Sequence, residues 1–209
     1  MTGPRNSFLF LPGAGAGEAE LAVLRDSLGD AFDLEVIDYP GWRRYAAEGF
    51  SAENLIEELA TQMASAVPHG PIRIASASLG GHFAYAVALR LQQMDRDIAG
   101  LLAIDTFMID SSGPSEGWQS RALAMGLDLV RKGQLSKISR FVRSRFWRAI
   151  YRMAGGRLIG TLRRAASSGQ LPWFLAVDPI AEQELSMRLL LRAVAPWVAA
   201  LDRNPTPLH

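Results

Sequence analysis

Cysteine is absent from this 209-residue sequence, and histidine occurs only three times. The absence of cysteine excludes a disulfide framework, a thiol nucleophile and thiolate metal ligands. The N-terminus has no basic segment followed by a long apolar run, and no stretch approaches 18 apolar residues without a charge. We therefore expect a soluble, cytoplasmic protein that does not insert into a membrane.

Acidic residues are missing from one long segment. Residues 129–164 contain 11 Lys/Arg and no Asp or Glu, whereas residues 1–128 contain 8 Lys/Arg and 17 Asp/Glu. The net charge of +1 hides this asymmetry. With 49% hydrophobic residues, the chain can bury one substantial core. We expect an acidic body that carries one basic segment.

Short apolar runs alternate with helical patterns in the first half of the chain. The runs 8–11, 34–39, 72–77 and 98–104 predict strands, and the spacing of apolar residues predicts helices over 18–28, 52–67 and 79–93. Apolar runs of this kind favour a mostly parallel sheet covered on both faces, which is an α/β fold. After residue 107 only helices are predicted, at about 118–132, 135–153, 156–167 and 180–202. We therefore divide the chain into a core (1–107), a helical insertion (108–202) and the start of a further strand (203–209).

The stretch from Ile72 to Ala88 is the most informative part of the sequence. A β-branched run leads through small residues into an alanine-rich helix, with Ser78 at the turn. Such a sharp, nearly side-chain-free turn is how a nucleophile elbow exposes a serine hydroxyl. The usual pattern is G-x-S-x-G, and here Ser76 replaces the first glycine. Ser78 is the predicted nucleophile.

A glycine-rich loop, Pro12–Gly17, follows the first predicted strand. Its glycines lack the spacing of a dinucleotide fingerprint, and no Gly-Lys-Ser/Thr follows, which disfavours nucleotide binding. The loop could supply an oxyanion hole, in which the backbone N–H of Ala14 faces that of Leu79. The alternative is a plain tight turn.

A serine nucleophile needs a base and an acid that orients the base, and in this fold they follow the serine in the order acid, then histidine. Asp105 ends the apolar run 98–104 and is the candidate acid, although an Asp at a strand end is often only a helix cap. The base is uncertain: His69 lies in a Pro/Gly turn before Ser78, and His82 lies one helical turn after it. His209 has the right order but is the last residue of the sequence. The third member is therefore unknown and is expected beyond the C-terminus, with His209 a weak candidate.

Four motifs in this order resemble the thioesterase domains of nonribosomal peptide and polyketide synthetases, which are α/β-hydrolases. The motifs are Leu9–Gly17, Ile37–Trp42, Ser76–Ala88 and Leu101–Asp105. The resemblance implies an acyl-accepting Ser78, a triad acid at Asp105, oxyanion donors at Ala14 and Leu79, and a helical lid after Asp105. It also implies that the histidine follows two further strands after the lid, and the sequence stops before them. On this basis we expect little turnover from these 209 residues alone.

The resemblance implies release of an acyl or peptidyl chain from the phosphopantetheine thioester of a carrier protein, by hydrolysis or cyclisation. No metal or cofactor is expected, beyond the phosphopantetheine that carries the substrate. A small-molecule carboxylester hydrolase and a catalytically incomplete carrier-binding module stay open as alternatives.

The basic segment has two interpretations. It could be a solvated amphipathic surface, or it could attract an acidic carrier protein and its phosphate. Nucleic-acid and membrane binding are disfavoured by the acidic body. Its arginines are interleaved with aromatic residues: Arg140, Arg143, Arg148, Arg152, Arg163 and Arg164 alternate with Phe141, Phe146, Trp147 and Tyr151.

Overall fold

A four-stranded parallel sheet forms the centre of the first half of the chain. In a computed structural model that describes residues 6–13, 22, 24–27, 32–106 and 135–201, the strands are β1 (Asn6–Leu11), β2 (Phe32–Val36), β3 (Ile72–Ala77) and β4 (Ile98–Ile104). Their order in the sheet is β2-β1-β3-β4, and every neighbouring pair is parallel. The predicted α/β fold with a mostly parallel sheet is therefore confirmed.

The strand order creates a switch point between β1 and β3. From β1 the chain first adds β2 on one side and then crosses to add β3 on the other side. Connections that leave two adjacent strands in opposite directions open a crevice at the carboxyl ends of those strands. The loop after β1 and the turn after β3 both begin at this crevice.

Three helices lie between β2 and β4 along the chain: α1 (Trp42–Ala46), α2 (Ala52–Ala66) and α3 (Leu79–Gln93). Helix α2 begins at Ser51, whose side chain accepts a hydrogen bond from the N–H of Asn54 at 3.3 Å, and such N-caps stabilise a helix start. Helix α3 packs against α2, β3 and β4. Its Phe83 and Val87 are fully buried, as are Ile72 and Ile74 of β3, so this helix and strand form the centre of the core.

Strand β4 is less covered than its apolar sequence predicts. The continuous apolar run 98–104 indicated burial on both faces, but Leu102 is 52% exposed and Ile104 is 41% exposed. Within the described part of the chain β4 is an edge strand with one neighbour, β3. Among the described residues, the coverage predicted for both faces of the sheet is therefore incomplete at β4, where no described helix packs over Leu102 and Ile104.

The second half of the chain is helical where it is described. Its helices are α4 (Leu135–Ser167), α5 (Trp173–Val177) and α6 (Pro179–Leu201). Gly155 interrupts α4 with φ 53° and ψ −139°, which agrees with the predicted break between helices 135–153 and 156–167. The predicted helix 118–132 lies outside the described residues. Among the helices that the structure describes, none combines the length and the apolar character needed to cross a membrane.

The chain separates into two compact units. Unit 1 contains Met1–Tyr39, Phe50–Met108 and Val194–His209, and unit 2 contains Pro40–Gly49 and Ile109–Ala193. Unit 2 thus includes α1 and most of the helical segment, and the end of α6 belongs to unit 1. The division at residues 107 and 202 remains a prediction about domains, since compact units need not be independent folding units.

Candidate functional site

Ser78 stands at a strained turn between β3 and α3. Its φ of 51° and ψ of −127° are rare for a residue with a side chain, and it is the N-cap of α3. Its N–H donates to the carbonyl of Ile104 at 2.8 Å, and its carbonyl accepts from the N–H of Gly81 at 2.9 Å and the hydroxyl of Thr106 at 3.2 Å. Strain of this kind costs about 1–3 kcal/mol and persists only where neighbouring contacts hold it. Ser78 itself is exposed at this turn.

Glycines make the close approach around this turn possible. A Cβ on Gly80 would lie 2.4 Å from the carbonyl oxygen of Leu11, and a Cβ on Gly81 would lie 2.0 Å from the Thr106 hydroxyl. A Cβ on Gly13 would lie 2.9 Å from the Cβ of Ser78 and 3.6 Å from its Oγ. The end of β1 and the residues after β4 therefore both press against the serine turn without intervening side chains.

Ser76 explains how the turn tolerates the loss of the usual first glycine. Its side chain is fully buried, and its hydroxyl donates to the carbonyl of Leu102 in the neighbouring strand at 3.2 Å. The polar group thus has a partner in the core, which removes the main cost of burying it. The Gly-to-Ser change is compatible with the turn.

Asp105 follows β4 directly and lies beside the serine turn in the backbone. It has a positive φ of 53°, and both of its neighbours, Ile104 and Thr106, form hydrogen bonds with Ser78. Its side chain is exposed. The carboxyl ends of β1, β3 and β4 therefore bring Gly13, Ser78 and Asp105 to one edge of the sheet.

The other candidate residues are only partly described. Leu79 is the first residue of α3, and its N–H belongs to the free N-terminal donors of that helix. Ala14 and His209 lie outside the described residues. His82 lies within α3 with its side chain buried, and His69 is exposed in the turn that follows α2. The structure therefore leaves the third triad member unidentified.

Sequence reasoning missed the residues that hold the turn. Thr106 and Gly81 were not singled out, although their contact with each other and with the Ser78 carbonyl supports the strained backbone. The available signal was the pair Gly80-Gly81, which follows Ser78-Leu79 directly. A second glycine inside a helix usually has a packing reason.

Most of the basic segment's arginines that the structure describes have partners inside unit 2. Arg143 forms a two-pronged ion pair with Asp178, in which its Nε lies 3.0 Å from Oδ2. Arg148 pairs with Glu184 at 2.6 Å, and Arg163 donates to the carbonyl of Ala46 at 3.2 Å. The remaining predicted arginines are Arg140, whose guanidinium donates to Gln183 at 3.3 Å, and Arg152 and Arg164, which have no partner among the described residues.

Asp178 is the acidic residue most affected by these contacts. Hydrogen bonds from Arg143 lower the pKa of this carboxyl to about 2, against the opposing effect of burial. The indole N–H of Trp147, at 2.7 Å, and the backbone N–H of Ile180, at 2.8 Å, act in the same direction. Asp178 therefore joins α4 to the start of α6 as a carboxylate. In the described ranges, no group of three or more His, Cys, Asp and Glu residues is arranged to hold a metal ion.

Comparison with solved structures shows the same fold in a thioesterase. RedJ, in a structure with a PEG molecule bound in its active site, matches with a TM-score of 0.51 and 16% identity, over 97% of this chain and 66% of that one. RedJ is a thioesterase from the prodiginine biosynthetic pathway in Streptomyces coelicolor. The NocB thioesterase domain, crystallised as a covalent complex with a fluorophosphonate nocardicin G analogue, matches with a TM-score of 0.45 and 20% identity, over 59% of this chain and 55% of that one. The chain thus spans between half and two thirds of the length of these relatives.

Comparison with protein families identifies the chain. No curated protein sequence matches it. The family model of the thioesterase domain matches residues 7–145, which include the glycine-rich loop, the serine turn and Asp105. The parallel sheet, the switch point and the strained serine all lie inside the matched segment. The chain therefore belongs to the thioesterase domain family and has its α/β-hydrolase fold.

Proposed function

We propose that this chain acts as a serine thioesterase that accepts an acyl or peptidyl chain from the phosphopantetheine thioester of a carrier protein. The observation that carries the proposal is Ser78, an exposed hydroxyl on a strained strand-to-helix turn at the switch point of a parallel sheet. A serine buried in the core, or one in an unstrained turn, would not need a backbone with positive φ. Membership of the thioesterase family supports the same chemistry.

The reaction would proceed in two acyl transfers. The Oγ of Ser78 attacks the thioester carbonyl and loses its proton to a general base, and the carrier thiol leaves with a proton as the acyl-enzyme forms. Water or a nucleophile within the chain then attacks the ester and releases a free acid or a cyclic product. The backbone N–H of Leu79, at the start of α3, and that of Ala14 would donate to the oxyanion, where fixed donors are most effective.

Asp105 would orient the base and stabilise its charged form. Its position directly after β4, between two residues that bond to Ser78, supports this role. The base itself is the open part of the proposal: a histidine is expected, and His209 stays a weak candidate. If these 209 residues lack the base, the acyl-enzyme would form slowly and turn over little, because loss of a triad base costs several orders of magnitude in rate.

The carrier protein is the proposed partner, and no metal or cofactor of its own is proposed for the chain. The acidic surface of a carrier would be attracted by arginines that have no side-chain partner in the described part of the chain, such as Arg152 and Arg164. The helical segment 108–202 would then act as the lid over the acyl chain, and residues 1–107 would form the core.

The decisive experiment is acylation of Ser78 by a thioester probe, followed by mass spectrometry of the intact chain. We expect the unmodified chain to gain one acyl group and Ser78→Ala to gain none. Ser76→Ala is the matched control: its hydroxyl is buried against Leu102, so the variant should still be labelled. Undiminished labelling of Ser78→Ala would remove this serine from the mechanism.

The same assay separates the alternatives. A thioesterase of this kind should be acylated faster by a carrier-bound thioester than by the same acyl group on a small thiol. Equal rates would indicate a small-molecule ester hydrolase, and carrier binding without any acylation would indicate a non-catalytic module.

A further inference from the structure

A cationic groove lies between α4 and α6 in unit 2, apart from any role of Ser78. The groove has a volume of about 460 Å³, which is in the range of small-molecule sites. Arg148 and Arg152 line it from one turn of α4, and Glu184, Arg188 and Arg192 line it from α6 at intervals of four residues. Residues four apart lie on the same face of a helix, so the lining residues of each helix form one face toward the groove.

The charges in this groove are not balanced. Glu184 is almost fully buried and is neutralised locally, since Arg148 donates to one of its oxygens at 2.6 Å and the Ser144 hydroxyl donates to the other at 2.5 Å. Among the described residues, no hydrogen bond or ion pair involves the side chains of the other three lining arginines, and all three are exposed. The groove therefore has a net charge of +3, located on Arg152, Arg188 and Arg192.

The rest of the lining is apolar. Tyr151 is only 1% exposed, and its hydroxyl already donates to the carbonyl of Ala181 at 2.9 Å. Burial raises the pKa of this phenol well above its usual range, so it adds no negative charge to the groove. Met187 is half-buried and Leu191 is 38% exposed. An apolar floor thus lies beside three unpaired guanidinium groups.

We propose that this groove binds a small organic phosphate, with the phosphate between the arginines and an apolar arm on the floor. Three guanidinium groups offer more N–H donors than the two oxygens of a carboxylate can accept, whereas the oxygens of a phosphate match them with paired hydrogen bonds. An inorganic anion would contact the arginines but not the apolar residues, so it would occupy only part of the groove. The proposal goes beyond the acyl-transfer function and does not depend on it.

Isothermal titration of the 209-residue chain with hexyl phosphate, inorganic phosphate and hexanol tests both halves of the site. We expect hexyl phosphate to bind more tightly than inorganic phosphate by about tenfold, since burying a few methylene groups contributes at least 1.4 kcal/mol. Hexanol should not bind. Because the arginines are exposed, raising NaCl from about 50 to about 500 mM should weaken hexyl phosphate binding severalfold, and this arm needs no variant.

Variants locate the site. The double variant Arg188→Gln/Arg192→Gln should weaken hexyl phosphate binding by about tenfold or more, through loss of charge-assisted hydrogen bonds. The double variant Arg140→Gln/Arg164→Gln removes the same charge from unit 2 outside the groove and should bind normally. Leu191→Gln should reduce the preference for hexyl phosphate over inorganic phosphate. No binding of hexyl phosphate, or equal weakening by both double variants, would overturn the proposal.

Discussion

The residues around Ser78 show why one position can keep an unfavourable backbone conformation. Its carbonyl and its N–H are both bonded to residues at or after the end of β4, and the glycines at 13, 80 and 81 let three segments approach within van der Waals contact. A Cβ at any of these three glycines would clash with an atom of a neighbouring segment. The strain at Ser78 is therefore balanced by contacts that only small neighbours allow.

Gly80→Ala should destabilise the chain by at least about 2 kcal/mol, because its Cβ would overlap backbone atoms that cannot move independently. Those atoms are the carbonyl oxygens of Leu11 and Pro12, at 2.4 and 2.7 Å. Gly100→Ala is the matched control, since a Cβ there meets nothing within 4 Å, and it should change stability by no more than about 0.5 kcal/mol. Urea unfolding measures both, and equal values would show that the close approach at Gly80 is not required.

At the scale of elements, the pairing of α4 with the start of α6 gives the basic segment its role in the fold. The arginines of α4 would make a repulsive helix surface alone, but Asp178 and Glu184 accept hydrogen bonds from Arg143 and Arg148. Both acids are buried, so their partners are required. Part of the basic segment is therefore structural, and of its described arginines Arg152 and Arg164 have no such partner and are available to a ligand.

Asp178 makes this helix pair sensitive to acid. Its folded-state pKa of about 2 lies below the ordinary value of 3.8, so the carboxylate contributes stability above about pH 4 and loses it as the pH falls toward 2. Asp178→Asn should lower the free energy of unfolding at pH 7 by about 1–2 kcal/mol, allowing for the half-exposed Arg143. The difference between the two proteins should shrink between pH 4 and 2.

Urea unfolding at pH 7, 4 and 2.5 measures this difference. Glu182→Gln, on the exposed side of the same helix turn, is the control and should leave the pH dependence unchanged. A constant difference between Asp178→Asn and the unmodified chain at every pH would contradict an ion-pair contribution.

At the scale of the whole molecule, unit 1 exposes an apolar sheet surface. Leu102 and Ile104 of β4, together with Phe8, Phe10 and Leu34, line an apolar depression of about 90 Å³ on one face of the sheet. An edge strand with exposed apolar residues is a template for pairing with another chain.

We expect the 209-residue chain to self-associate through this surface. Light scattering at high protein concentration should give an average mass above 22.8 kDa, and Leu102→Lys/Ile104→Lys should bring it back toward that value, because lysines on an edge strand oppose pairing. Met153→Lys, at an exposed apolar position in unit 2, should leave the mass unchanged. A monomeric unmodified chain would contradict the prediction.

The sequence alone determined the fold class, the succession of strands and helices along the chain, the break near Gly155 and the serine at the turn, because each depends on local periodicity and on small residues at fixed spacing. The tertiary structure decided the rest. The support from Thr106, the partner of Ser76, the exposure of β4 and the groove between α4 and α6 all join residues distant in sequence. Which donors and charges meet depends on the order of the strands in the sheet and on how the helices pack. No local sequence pattern encodes either of them.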